Sequence, residues 1–178
     1  NKELFQKAGI AAPAKTWDEF FQQCDQLKAA GITPLSMDTA DSAWVTQLWM
    51  GAMVGTASDE GLTFMQTMNP TDYNTPEMLQ AVANIQKMYQ NYTTQDAVGG
   101  KYENAANNFL SGQTAMIANG PWMLGDFSDP SKTEEGFADK IGVAIFPENF
   151  VYDAPIQGYI VTKQDDPKVE EAAMEMVK

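Results

Sequence analysis

The sequence has no histidine and no arginine, and a single cysteine among 178 residues. Without histidine, a Ser-His-Asp or Cys-His nucleophile and any His-ligated metal site are excluded for this chain. Cys24 has no partner for an internal disulfide. It recurs with Trp17, Phe20, Phe21 and Leu27 at helical spacing, which marks it as a small buried hydrophobe. Positive charge is scarce: 11 basic residues, all lysine, face 24 acidic ones, for a formal net charge of −13. Nucleic acid binding wants a basic stripe and bidentate Arg forks, so nucleic acid is not expected as a partner. No apolar run approaches a membrane span, and Trp49 to Gly55 is far too short. There is no initiator Met and no basic-then-apolar leader. Both ends, NKELFQKAGI and EEAAMEMVK, read as cut through helices, so a piece of a longer protein is expected.

What is present describes an ordinary globular domain. The apolar fraction is 44% and the aromatic fraction 11%, enough for one real core. No repeat or low-complexity tract interrupts it. Thr16-Trp17-Asp18-Glu19 is a capping box ahead of a helix that Gly31 closes. Ile32 to Met37 reads as a short strand with Pro34 at its edge or start. A polar loop, DTADSAW, leads into a helical apolar pattern from about Ser42 to Val54. Thr75 and Pro76 open a long helix striped by Leu79, Val82, Ile85, Tyr89 and Tyr92. A short helix near Glu103 to Leu110 precedes three candidate strands: Thr114 to Ala118, Ile141 to Phe146 and Pro155 to Thr162. Asp166-Pro167 caps a last helix with Val169, Ala172, Ala173, Met176 and Val177 predicted to face inward. Helices alternating with short strands give an α/β class.

Three constellations carry chemistry. In SGQTAMIANGPWMLGDF (Ser111 to Phe127), a short buried strand ends at Asn119-Gly120-Pro121, and the turn delivers Trp122. Strand ends are where α/β folds keep ligand-contacting groups. The alternative is a Trp that plugs the core. In DTADSAWVTQLW (Asp38 to Trp49), Asp38 and Asp41 can accept paired hydrogen bonds from adjacent hydroxyls, and the alternative is capping, with Asp41 or Ser42 before the apolar helix that follows. Trp44 and Trp49 lie five apart and therefore point to different helix faces. In the third, Gln157-Gly158-Tyr159, a strand glycine permits close approach of a ligand, Gln157 offers donor and acceptor, and Tyr159 can stack or donate.

These residues also carry a resemblance. Gly112, Thr114, Ala115, Met116, Gly120, Pro121 and Trp122 fill a GxTAMxxxGPW pattern. It resembles the signature stretch of family 1 bacterial extracellular solute-binding proteins, the sugar-capturing subunits of ABC importers. NKELFQKAGI…TWDEF, GITPLSMD and GYIVTKQDDPKVEEAA agree with that family in order. The resemblance implies one lobe, residues 1–178, of a two-lobed type II periplasmic-binding-protein fold, helix-rich with a small mixed sheet. It implies the second lobe, with the first lobe preceding Asn1. A mono- or oligosaccharide would sit in the cleft between lobes, with Trp122 stacked on a pyranose face and Trp44 at the rim. Trp49 would belong to the core. One Gly at position 158, where the family commonly has a pair, is a departure. The implied partners are a carbohydrate and the membrane subunits of an ABC permease, for an extracytoplasmic receptor, lipid-anchored or periplasmic, whose full-length parent is monomeric. No cofactor, no metal and no enzymatic step is expected. A receptor of the same fold for a polyamine or another small solute is the alternative, and a glycoside-processing domain would require two carboxylates across a cleft.

Overall fold

The computed structural model describes residues 1–152 and 161–176. In chain order the regular elements are α1 (Lys2–Lys7), α2 (Trp17–Ala29), β1 (Thr33–Ser36), α3 (Trp44–Ala57), α4 (Asp59–Gln66), α5 (Pro76–Asn91), α6 (Tyr102–Leu110), β2 (Thr114–Ile117), α7 (Phe137–Lys140) and α8 (Pro167–Met176). The two strands pair in parallel, with Thr33 opposite Thr114 and Leu35 opposite Met116. Parallel neighbours need a long crossover, and α3 to α6 supply it. Both strands are largely buried, as parallel strands flanked by helices usually are. Their buried hydroxyls satisfy each other, Ser36 Oγ lying 2.6 Å from Thr114 Oγ1. The Leu35 amide donates outward to the Tyr92 carbonyl at 2.9 Å. Among the described residues the sheet is therefore parallel, not mixed.

The caps follow the sequence signals. Thr16 accepts from the Glu19 amide at 3.2 Å, while the Glu19 carboxylate reaches back one residue further, to the Lys15 amide at 2.7 Å. Thr75 caps α5 through the Met78 amide, with Pro76 at the first helical position. Each arrangement satisfies helix-end amides that have no intrahelical partner.

The core gathers around α3. Val45, Leu48, Trp49, Ala52, Met53 and Val54 are buried, joined by Phe20 and Cys24 of α2 and Ala81 and Met88 of α5. A helix apolar on several sides has to be covered on several sides. Helices α4 and α5 cover part of α3, and the aromatic segment 146–152 covers another part. There Tyr152 donates to the Leu48 carbonyl at 2.9 Å, and its hydroxyl fills the space beside Gly51. Phe150 occupies the corresponding space beside Gly55, one turn along. Cys24 is fully buried, and burial pushes its thiol up to about 12, so it packs as a hydrophobe.

Three expected elements differ. Residues 141–145 form no strand; the segment runs free, with Val143 84% and Ile145 53% exposed. Its apolar pattern is that of a strand, but no neighbouring strand reaches it among the described residues. On α5 the inward face is Met78, Ala81, Ile85 and Met88, which pack on the core, whereas Leu79 and Val82 point to solvent. The core lies to one side of the predicted stripe. Helix α8 is capped by Asp166 as expected, but Val169, Ala172 and Met176 are exposed, because no described surface packs against them, and Val177 lies outside the described residues. The predicted strand from Pro155 lies almost wholly outside the described residues.

Candidate functional site

Because β1 and β2 run parallel, both carboxyl ends open on the same edge, and the loops that follow meet there. In open α/β sheets this edge is the usual ligand position. From β1 the chain passes through buried Met37 and Asp38 into loop 39–43 and then α3, whose first residue is Trp44. From β2 it passes through buried Ala118 to Asn119, Gly120 and a 3-10 helix, Pro121–Ser128, that carries Trp122. The two indoles meet across the edge, with centroids 5.9 Å apart and planes inclined at 53°. Both are open to solvent, Trp122 at 61% and Trp44 at 38%. Trp49, by contrast, is 5% exposed and packs edge-on against Phe146 in the core.

The turn before Trp122 is held internally. Asn119 Oδ1 accepts from the Gly120 amide at 2.9 Å, and Asn119 Nδ2 donates to the Tyr102 hydroxyl at 3.1 Å. Its polar atoms are thus engaged by the turn and by the start of α6. Gly120 is extended and lies under the Trp122 ring, so that a Cβ there would meet Cη2 at 2.2 Å. The glycine is what lets the indole fold back onto its own turn.

The two aspartates part company. Asp38 is buried, and its Oδ1 accepts from the Val45 and Thr46 amides at 3.1 and 3.3 Å, capping α3. Its carbonyl accepts from Thr46 Oγ1 and Tyr89 Oη, so the residue is clasped on two sides. Burial raises its carboxyl above the ordinary carboxylate value, against the opposing pull of the α3 amides. Asp38 therefore holds the helix that bears Trp44 and is closed to solvent. Asp41 is exposed, adopts a left-handed φ of 54°, and faces Lys101 at 3.6 Å. The rim loop is stitched to its neighbour by main chain: Thr39 and Ala40 both donate to the Gly100 carbonyl, at 3.1 and 2.9 Å.

The geometry thus brings together Trp122, Gly120, Asn119, Trp44 and Asp41 at one edge, with Asp38 beneath. Gln157, Gly158 and Tyr159 lie outside the described residues. Sequence reasoning missed Lys101 and Tyr102, which join the rim from the start of α6. The only signal for them is their position just after the Gly99-Gly100 turn. Among the described residues no group of three His, Cys, Asp or Glu side chains is placed to hold a metal ion.

Comparison with known proteins agrees with this architecture. The chain is 30% identical over 135 residues to the sn-glycerol-3-phosphate-binding periplasmic protein UgpB of Brucella abortus, a match covering 71% of this chain and 29% of that protein. It is 28% identical over 131 residues to the xylose/arabinose-binding protein XacG of Haloferax volcanii, covering 71% of this chain and 28% of that one. The chain thus spans less than a third of the length of these curated relatives. Among solved structures, a chitin oligosaccharide binding protein superposes with a TM-score of 0.71 at 26% identity, over 83% of this chain and 36% of that one. The model of the bacterial extracellular solute-binding proteins matches residues 1–178, and the chain belongs to that family.

Proposed function

We propose that this chain is the second lobe of a carbohydrate receptor serving an ABC importer, and that the edge bearing Trp44 and Trp122 is its half of the ligand cleft. The observation that carries this reading is the pair of solvent-open indoles at the carboxyl ends of two parallel strands. A pyranose presents a face of C–H groups that an aromatic ring covers, while its hydroxyls remain hydrogen-bonded. Relatives whose names state xylose, arabinose and chitin oligosaccharide binding support the same class.

Capture in this reading is hinge closure of two lobes around the sugar, followed by docking of the closed form on a permease outside the cytoplasmic membrane. It makes and breaks no covalent bond, so the chain is not an enzyme. A polyamine ligand fits less well, because it wants free carboxylates, and here Asp38 is spent on a helix cap while Asp41 faces a lysine. The test is a thermal-shift and calorimetric screen of the full-length protein against neutral sugars, polyamines and divalent metals. A sugar alone raising the melting temperature, with a shift that grows with the logarithm of its concentration, supports the reading; stabilisation by a polyamine or a metal alone overturns it.

A further inference from the structure

Resting on the proposed function, a second question is how much sugar this wall is shaped to hold. Two rings that clamp one pyranose between them need near-parallel planes about 7–8 Å apart, twice the contact distance of about 3.5–4.0 Å. Trp44 and Trp122 do not meet that condition: their centroids are 5.9 Å apart and their planes are inclined at 53°, so no ring fits between them. They touch each other instead and present one bent, continuous aromatic surface, to which Trp122 and Trp44 contribute at 61% and 38% exposure. The spacing of the indoles is of the order that one glycosidic oxygen imposes on adjacent sugar rings. A single pyranose covers one indole and leaves the other wet.

Charge at the rim narrows the class further. The chain has no arginine, and Lys101, the lysine at the rim, stands 3.6 Å from the Asp41 carboxylate. A phosphorylated ligand would meet one cation already paired with an acidic group.

We propose that this lobe is built for at least two adjacent, uncharged sugar rings, one on Trp122 and the next on Trp44. The experiment is calorimetry on the full-length protein with matched pairs: glucose with maltose and cellobiose, galactose with lactose, and N-acetylglucosamine with its β1,4-linked dimer. sn-Glycerol 3-phosphate is the charged arm. The expected result is one pair in which the disaccharide binds at least about tenfold more tightly than its monosaccharide, the size a second stacked ring supplies. Trp44→Ala should collapse that ratio to about twofold or less, and Trp44→Phe, which keeps an aromatic wall, should restore most of it. A monosaccharide binding as tightly as every disaccharide containing it overturns the two-ring inference and leaves the sugar reading standing. Tighter binding of glycerol phosphate than of any neutral sugar overturns the uncharged class. Failure of every saccharide to bind overturns the function reading and this inference together.

Discussion

Trp122 rests on Gly120, its own neighbour but one, at a distance that leaves no room for a Cβ. The contact is between a backbone and the far end of a side chain that can rotate away. Gly120→Ala should therefore displace the indole at little cost to folding. The expected outcome is a loss of sugar affinity of about tenfold or more, by analogy with losing one stacked ring, with the melting temperature changed by no more than a degree or two. Calorimetry paired with thermal unfolding of the full-length protein checks it. Unchanged affinity would mean that the ring's position does not matter to the ligand.

Trp122→Ala is the more drastic version. With 61% of the residue in solvent, its removal leaves no cavity in the core, so stability should hold while binding is lost. A fall of several degrees in the ligand-free protein would identify Trp122 as a packing residue and remove the centre of the site.

Asp38 gives a prediction about pH. Its folded carboxyl holds a proton more readily than an unfolded one, because burial penalises the charged form. Its contribution to stability is therefore fully present below the unfolded value of about 3.9 and is lost as pH rises through the higher folded value. Asp38→Asn keeps an acceptor for the Val45 and Thr46 amides and removes the charge. It should be at least as stable as the parent at neutral pH and should lack this acid-side gain. Asp38→Ala removes the cap and should cost about 1–2 kcal/mol at neutral pH, and more at pH 3, where the parent has its acid-side contribution and the variant does not. Urea titrations between pH 3 and 7 distinguish the three proteins. A steeper acid gain in the Asn variant would refute the assignment.

Gly51 tests the aromatic strap on α3. In a solvent-facing helix, Gly→Ala stabilises by about 0.5–1 kcal/mol. Here a Cβ would stand 2.0 Å from the Tyr152 hydroxyl, so the same change should destabilise by about 1–3 kcal/mol through overpacking. The sign alone decides, and a denaturant midpoint measures it. A rise in the midpoint would show that Tyr152 does not lie against α3.

Much of this was legible in the sequence because it is local. Thr16, Thr75 and Asp166 announce helix starts through side chains that reach two or three residues, and both described strands appear within a residue or two of their expected limits. Helical spacing puts Trp44 and Trp49 on different faces, and the family resemblance is what says which of them is buried: Trp49 is 5% exposed and Trp44 38%. The rest depends on what packs from a distance. The cap of α3 is expected at Asp41 or Ser42, next to the helix, whereas the side chain that caps it is Asp38, which Tyr89, 51 positions later, helps to hold by closing over its carbonyl. Residues 141–145 have strand composition, yet a strand exists only when another pairs with it. Nothing local says why Gly51 and Gly55 are small; Tyr152 and Phe150, about a hundred residues on, supply the reason. Lys101 and Tyr102 carry no motif and reach the rim through the crossover.

The main-chain stitch between loop 39–43 and Gly100 has a consequence for how such a receptor diversifies. Ala40 is tied to Gly100 through its amide, and an amide is the same whatever side chain it carries, while Thr39 adds its hydroxyl, which accepts from the Gly99 amide at 2.7 Å and donates to the Ala97 carbonyl at 3.3 Å. The rim is therefore fixed in shape but free in wording. Ala40, Asp41 and Ser42 can be exchanged for other residues without loosening the scaffold, provided position 41 tolerates its left-handed backbone. If the proposed site is right, a lineage can change which hydroxyls it reads by rewriting three letters at this edge, while the indole wall and the core beneath it stay as they are.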